Sequence, residues 1–120
     1  MRWFPTAAVL VMAVGGQATE SPLPGENVAR GASYAMSVAP NYELSMDAGD
    51  GEQLTDGVYT DAWFWSQLST VGWQDQNPVI ITLDLGSVMP IRGVSLNTAA
   101  GASGVAWPRA VQIFTADQEG

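Results

Sequence analysis

A chain of 120 residues with 12 acidic and 4 basic side chains, and with neither histidine nor cysteine, carries a formal charge of −8. Arg2, Arg30, Arg92 and Arg109 are its whole basic inventory, which removes Ser-His-Asp and Cys-His nucleophiles, thiolate or imidazole zinc sites, lysine Schiff bases and the P-loop. Four scattered arginines on an acidic chain form no positive patch, so nucleic acid and anionic membrane surfaces are disfavoured as partners, while 47% hydrophobic against 13% charged residues predicts a packed core rather than an acidic tail.

Taken from the N-terminus, Met1-Arg2 is a short positive start, Trp3 to Val14 a nearly uncharged apolar run, and Gly16-Gln17-Ala18 a small-x-small ending. This predicts a secretory signal peptide over residues 1–18, because the run falls short of the ~20 residues that span a bilayer. The expected location is therefore secreted or cell-envelope, with no membrane role beyond export, and an exported product without cysteine folds without disulfides. Residues 19–26, with Ser21-Pro22-Leu23-Pro24-Gly25, form a stiff linker that neither helix nor central sheet accepts. The domain is expected over 27–120.

From Asn27 onward no 3.6-residue periodicity is sustained, and short β-compatible runs alternate with Gly, Pro, Asn and Asp. Ala32 to Val38 and Val58 to Gln67 are the weaker strand candidates; in the second, Trp63 and Trp65 would share one face and Phe64 the other. Asp47 to Glu52 reads as a turn-forming loop. Val79 to Leu85 is the clearest strand, with Val79, Ile81, Leu83 and Leu85 on one face, Thr82 and Asp84 on the other, and Gly86 ending it. Ile91 to Asn97 follows with Val94 and Leu96 inward, then a flexible connection from Ala99 to Gly104 closed by Trp107-Pro108, then Ala110 to Ala116 with Val111 and Ile113 opposite Gln112 and Phe114. Several short strands without helices predict an all-β antiparallel sandwich.

The order Leu54-Thr55-Asp56-Gly57, Trp63-Phe64-Trp65, Ile81 to Gly86, Ile91-Arg92-Gly93-Val94 and Val111 to Phe114 resembles a coagulation-factor 5/8 type C (discoidin) domain. Asn27-Val28-Ala29-Arg30-Gly31 resembles the N-L-A-x-G opening of bacterial members. The resemblance implies a galactose-binding-like β-sandwich with jelly-roll topology. It also implies further strands beyond Gly120 that close the sandwich, so the expectation is a domain fragment at the start of a longer secreted or surface protein.

Six acids lie between Glu43 and Asp61, namely Glu43, Asp47, Asp50, Glu52, Asp56 and Asp61. Oxygen-rich loops of this kind suit calcium, although their spacing is not that of an EF-hand. The resemblance implies a structural Ca2+ at the Asp-Gly turn, held by Asp56, by carbonyls near Val58 and by Thr60 or Asp61; an ordinary Asp-Gly turn with solvated acids is the alternative. Abundance of acids is all that favours a glycosidase carboxylate pair, and no catalytic residue is assigned. Sugars stack their apolar faces on exposed aromatic rings, which singles out Trp73 and Trp107 in loop settings and Tyr42 on a rim, with Arg92 and Arg109 as donors to hydroxyl or carboxylate groups. Packing is the commoner fate of such rings and surface ion pairing of such arginines. The reading is a non-catalytic, exported module that binds a glycan or polysaccharide, beside further domains of the same chain. The rival expectations are a spacer or protein-adhesion sandwich, and the accessory domain of a glycoside hydrolase whose catalytic part lies downstream.

Overall fold

The computed structural model describes residues 25–61 and 64–116. The expected signal peptide, most of the linker, Trp63 and residues 117–120 lie outside them. Two strands pair: β1, Ser33–Met36, and β2, Ile81–Asp84. They run antiparallel in the register Ser33↔Asp84, Tyr34↔Leu83, Ala35↔Thr82 and Met36↔Ile81. Beyond Met36 the ladder continues as Ser37 N–H donates to Ile80 O at 2.9 Å and Ile80 N–H donates to Ser37 Oγ at 2.9 Å.

The pairing follows from period-two patterning. In β2 the odd positions Ile81 and Leu83 turn inward and Asp84 outward, and in β1 Tyr34 and Met36 are half-buried between exposed Ser33 and Ala35. The register sets Tyr34 against Leu83 and Met36 against Ile81, so one face of the ribbon is apolar. That face meets Ala29, and Ala29 (1% exposed) and Leu83 (3%) form the fully buried apolar centre, with Ala32, Tyr34, Ile81, Leu85, Ile91 and Val94 packed around it. Gly86 ends β2 as expected, its N–H donating to Asp84 Oδ1 at 2.7 Å.

Ala29 is held in place by a turn. Asn27 Oδ1 accepts the Ala29 N–H at 3.1 Å, and Asn27 O accepts the Arg30 N–H at 3.2 Å, an Asx-type arrangement open to an Asn side chain. Ala32 N–H to Ala29 O (3.0 Å) and Gly31 N–H to Thr55 O (2.7 Å) then fasten the turn to the Leu54–Gly57 stretch. Thr55 returns the contact by donating its Oγ1 to Ala32 O at 2.7 Å.

The described chain is otherwise almost free of helix, and no helix in it is long and apolar enough to cross a membrane. Three expected strands are absent from it. The described residues of Val58 to Gln67 form no strand and include a 3-10 turn at Phe64–Ser66, so Trp65, half-buried, stands on that turn rather than on a strand face. Side chains tie this segment to backbone that a ladder would have used: Val58 N–H donates to Asp56 Oδ1 at 2.7 Å and Gln67 Nε2 donates to Asp61 O at 3.4 Å. Ile91 to Asn97 supplies Ile91 and Val94 to the core but alternates no further, since Val94, Ser95, Leu96 and Asn97 are all half-buried. Ala110 to Thr115 is exposed at every position. A strand needs a ladder partner, and neither segment has one among the described residues.

Candidate functional site

The acidic stretch is an ordered turn. Asp47 O accepts the Asp50 N–H at 3.4 Å, and Gly49 O accepts the N–H groups of Glu52 (2.8 Å) and Gln53 (3.1 Å). The side chains work inward on the same backbone. Asp47 Oδ1 accepts from Gly49 N–H at 2.7 Å and from Gln53 Nε2 at 2.9 Å, and Asp50 Oδ2 accepts from Asp47 N–H at 3.3 Å. The Tyr34 phenol stitches the turn to β1, donating to Asp50 O at 2.6 Å and accepting the Leu54 N–H at 3.2 Å.

Asp50 is thus not a solvated acid. It is 7% exposed, and its Oδ1 has no hydrogen-bond partner among the described residues. Burial pushes its carboxyl above the ordinary range and the nearby Asp47 charge adds to that, against the lowering effect of the Asp47 N–H. Tyr34 is raised as well, first by burial and then by the charges of Asp50, Asp56 and Glu52, with the Leu54 N–H opposing.

A pocket of about 70 Å³ opens beside this turn. Asp56, Val58 and Thr60 line it together with Asn27, Gln53 and Thr70, and Asp61 is not among its lining residues. Three of the four residues expected at a cation are therefore gathered on one wall. Asp56 is the one carboxylate there, and its Oδ1 already accepts the Val58 N–H. Thr60 turns its hydroxyl to Ser69, with Ser69 O at 3.0 Å and Ser69 Oγ at 2.8 Å. Its carbonyl accepts from Asn97 Nδ2 at 3.0 Å. Gln53 Oε1, Tyr59 OH and Thr70 Oγ1 belong to lining residues and have no hydrogen-bond partner among the described residues. The donor set is all oxygen with a single negative charge, which suits a hard cation but binds it weakly. Among the described residues, no group of three or more Asp or Glu is arranged to hold a metal ion. At 70 Å³ the pocket is far below the ~300 Å³ where ligand-sized pockets begin, so it is too small to enclose a sugar ring.

The five expected ligand-binding residues separate into two kinds. Tyr42 and Trp73 are half-buried and join two segments. Trp73 Nε1 donates to Val38 O at 3.0 Å, and Asn41 and Tyr42 N–H both donate to Gly72 O, at 3.1 and 3.2 Å. Alongside, Asn41 and Gln74 exchange two bonds, Nδ2 to Gln74 O at 3.0 Å and Gln74 N–H to Oδ1 at 2.8 Å. A Cβ at Gly72 would lie 2.8 Å from Tyr42 Cβ, so the tyrosine is packed on the glycine. Arg92, Trp107 and Arg109, in contrast, are exposed, Trp107 at 66%.

Trp107 follows a loop that the sequence reads as flexible and the structure shows as hydrogen-bonded. Ala102 N–H donates to Ala99 O (3.1 Å), Val105 N–H to Ala102 O (2.8 Å) and Gly101 N–H to Val105 O (2.9 Å). Thr98 Oγ1 accepts the Ala100 N–H at 3.1 Å. The indole rests against Gly101, where an added Cβ would lie 2.9 Å from Nε1 and 3.3 Å from Cε2. Sequence reasoning also missed Gln53, Thr70 and Asn97, because isolated amides and hydroxyls in loops have no periodic signature. For Gly101 a signal existed in the glycines at 101 and 104 just ahead of a Trp-Pro pair.

No family model, curated protein or solved structure matches the chain.

Proposed function

We propose that the chain is an exported, non-catalytic carbohydrate-binding module of the discoidin-like, jelly-roll sandwich type. The observation behind this reading is Trp107, a large ring left two-thirds open just after a hydrogen-bonded loop, with Arg109 two residues on also exposed. A flat ring open to solvent is what a sugar's apolar face stacks on. The antiparallel pairing of segments some 45 residues apart supports a sandwich, in which distant strands are neighbours.

The test is binding of the full chain to a printed glycan array and its retardation in native gels containing soluble galactan. Trp107→Ala is expected to weaken retention while leaving the denaturation midpoint in place, because an exposed ring contributes little to folding. Trp73→Ala is expected to lower stability, since it removes the tie to Val38. An array without signal defeats the glycan reading.

A protein-contact module is the second reading, favoured by the open apolar side chains of Val111, Ile113 and Phe114. A structural Ca2+ at the Asp56 pocket belongs to the proposal too, held by Asp56 with neighbouring carbonyl and hydroxyl oxygens. Binding to the native state alone raises apparent stability by mass action. Calcium should therefore raise the melting temperature slightly, and Asp56→Ala should remove the increment. Superimposable melts in calcium and in chelator exclude the ion.

A further inference from the structure

We infer that Gly101 sets the pose of the Trp107 ring and is the positioning residue of the sugar platform, an inference that rests on the carbohydrate reading above. Two glycines in the same turn adopt left-handed backbone conformations, Gly101 at φ +88 and Gly104 at φ +82. Their surroundings differ. A Cβ at Gly104 would meet nothing within 4 Å, whereas one at Gly101 would lie 2.9, 3.3 and 3.4 Å from Nε1, Cε2 and Cζ2 of Trp107. Carbon atoms do not approach a ring nitrogen to 2.9 Å without displacement, so either the loop backbone or the ring must shift. The loop backbone is closed by Gly101 N–H on Val105 O and Val105 N–H on Ala102 O. The part free to move is the indole, whose surface is 66% open.

Gly101 thus has two separable properties, a backbone conformation that costs any other residue strain and an empty side-chain position that the indole fills. Gly104 has the first property alone. Trp107 benefits from the second, because a stacking ring binds more tightly when its pose is set before the ligand arrives. Nε1, Cε2 and Cζ2 lie nearest Gly101, and two-thirds of the residue stays open to solvent.

The comparison of Gly101→Ala with Gly104→Ala in the full chain tests this directly. The protein is labelled with 5-fluorotryptophan, and the Trp107 resonance is identified by its loss in Trp107→Tyr. Gly101→Ala is expected to shift that resonance, and Gly104→Ala to leave it in place although both variants lose similar stability. Retardation by soluble galactan, or by the best array glycan if galactan is inactive, is expected to weaken about two- to tenfold in Gly101→Ala, the scale of one aromatic contact. It should be unchanged in Gly104→Ala. Tyrosine lacks the Nε1 and Cζ2 atoms that meet the new methyl group, so Gly101→Ala in a Trp107→Tyr background should cost no further binding. Equal resonance shifts in the two alanine variants overturn the inference whatever the binding. A moved ring with full retention, while Trp107→Ala loses it, also overturns it. Full retention by Trp107→Ala itself defeats the underlying assignment of Trp107 as the platform, and is told apart by needing no glycine variant.

Discussion

Among its described residues, the chain from Asn27 to Gln74 has one four-residue strand and yet is tied at almost every turn, whereas from Ser87 to Ala116 it has stronger apolar patterning and few ties. In the first region side chains bond backbone repeatedly: Asn27 to Ala29, Thr55 to Ala32, Tyr34 to Asp50 and Leu54, Trp73 to Val38. Its most buried residues include Ser45, Asp50, Thr55 and Thr60, all polar. In the second region the backbone hydrogen bonds fall in the turn from Thr98 to Val105, and beyond it Trp107, Val111, Ile113 and Phe114 stand open. The contrast shows that the ties of the first region follow its hydrogen-bonded backbone groups more than its apolar content, because a buried N–H or C=O left unpaired is costly.

The apolar centre where the regions meet provides the largest expected effect. Leu83 touches both through Ala29 and the packed Ile91 and Val94, so Leu83→Ala should cost about 2–5 kcal/mol, measured by urea denaturation. In a domain with so small a buried centre, that loss is expected to unfold much of the population at 37 °C. A cost under about 1 kcal/mol would mean that the two regions do not share a core.

Within the first region Tyr34 is the sharper probe. Tyr34→Phe keeps the ring on the core and removes the phenol that serves Asp50 O and Leu54 N–H together. Leaving two partly buried backbone groups without their partner should cost about 1–3 kcal/mol. Amide exchange at Leu54 should rise in the same variant, and unchanged protection there would mean the stitch between β1 and the acidic turn is not made in solution.

These contrasts explain what could be read in advance. The inward face of β2 was legible because Ile81, Leu83 and Leu85 alternate with Thr82 and Asp84 and because Gly86 closes the run; the Asp47–Glu52 turn was legible from its glycines and acids. The partner of β2 was not legible, since β1 lies 45 residues away and a four-residue pattern names no register. Ile91 to Asn97 and Ala110 to Ala116 have the right alternation, but alternation describes how a strand would sit and cannot supply the neighbour. Around the Asp-Gly turn, Asp56, Val58, Thr60 and Asp61 were expected together through the discoidin resemblance, and the pocket lining takes in the first three and not Asp61. The burial of Asp50 was invisible, because an Asp between two glycines has the composition of a solvated loop. Trp107 and Trp73 look alike in sequence, and a single indole bond to Val38 separates a packed ring from an open one.

Asp50 allows the first region to be tested by pH. Its carboxyl is raised by burial, so the folded state favours the protonated form. The stability it contributes is present below the ordinary carboxyl range and is lost as pH rises through the raised value. Asp50→Asn keeps an acceptor for the Asp47 N–H and cannot ionise. The stability of the variant relative to wild type should therefore improve steadily from acid to neutral pH, read from melts across that range. A gap that does not change with pH would place the Asp50 carboxylate in water.

The smallest effect is expected in the second region, and it bears on the whole comparison. Ile113 is 51% exposed, and its neighbours Val111 and Phe114 are equally open. Ile113→Thr keeps the β-branched shape that suits an extended backbone while removing apolar surface, and it should change unfolding free energy by no more than about 0.5 kcal/mol. Solubility should improve, because an uncharged run of β-formers with free backbone edges invites pairing between chains. The measurement is urea denaturation beside light scattering as concentration is raised. A loss above about 1 kcal/mol would show that Ile113 is covered in solution and that Ala110 to Ala116 has found a ladder. In that case the two regions would differ in which partners they use, and the alternation read from the sequence would have been a strand after all.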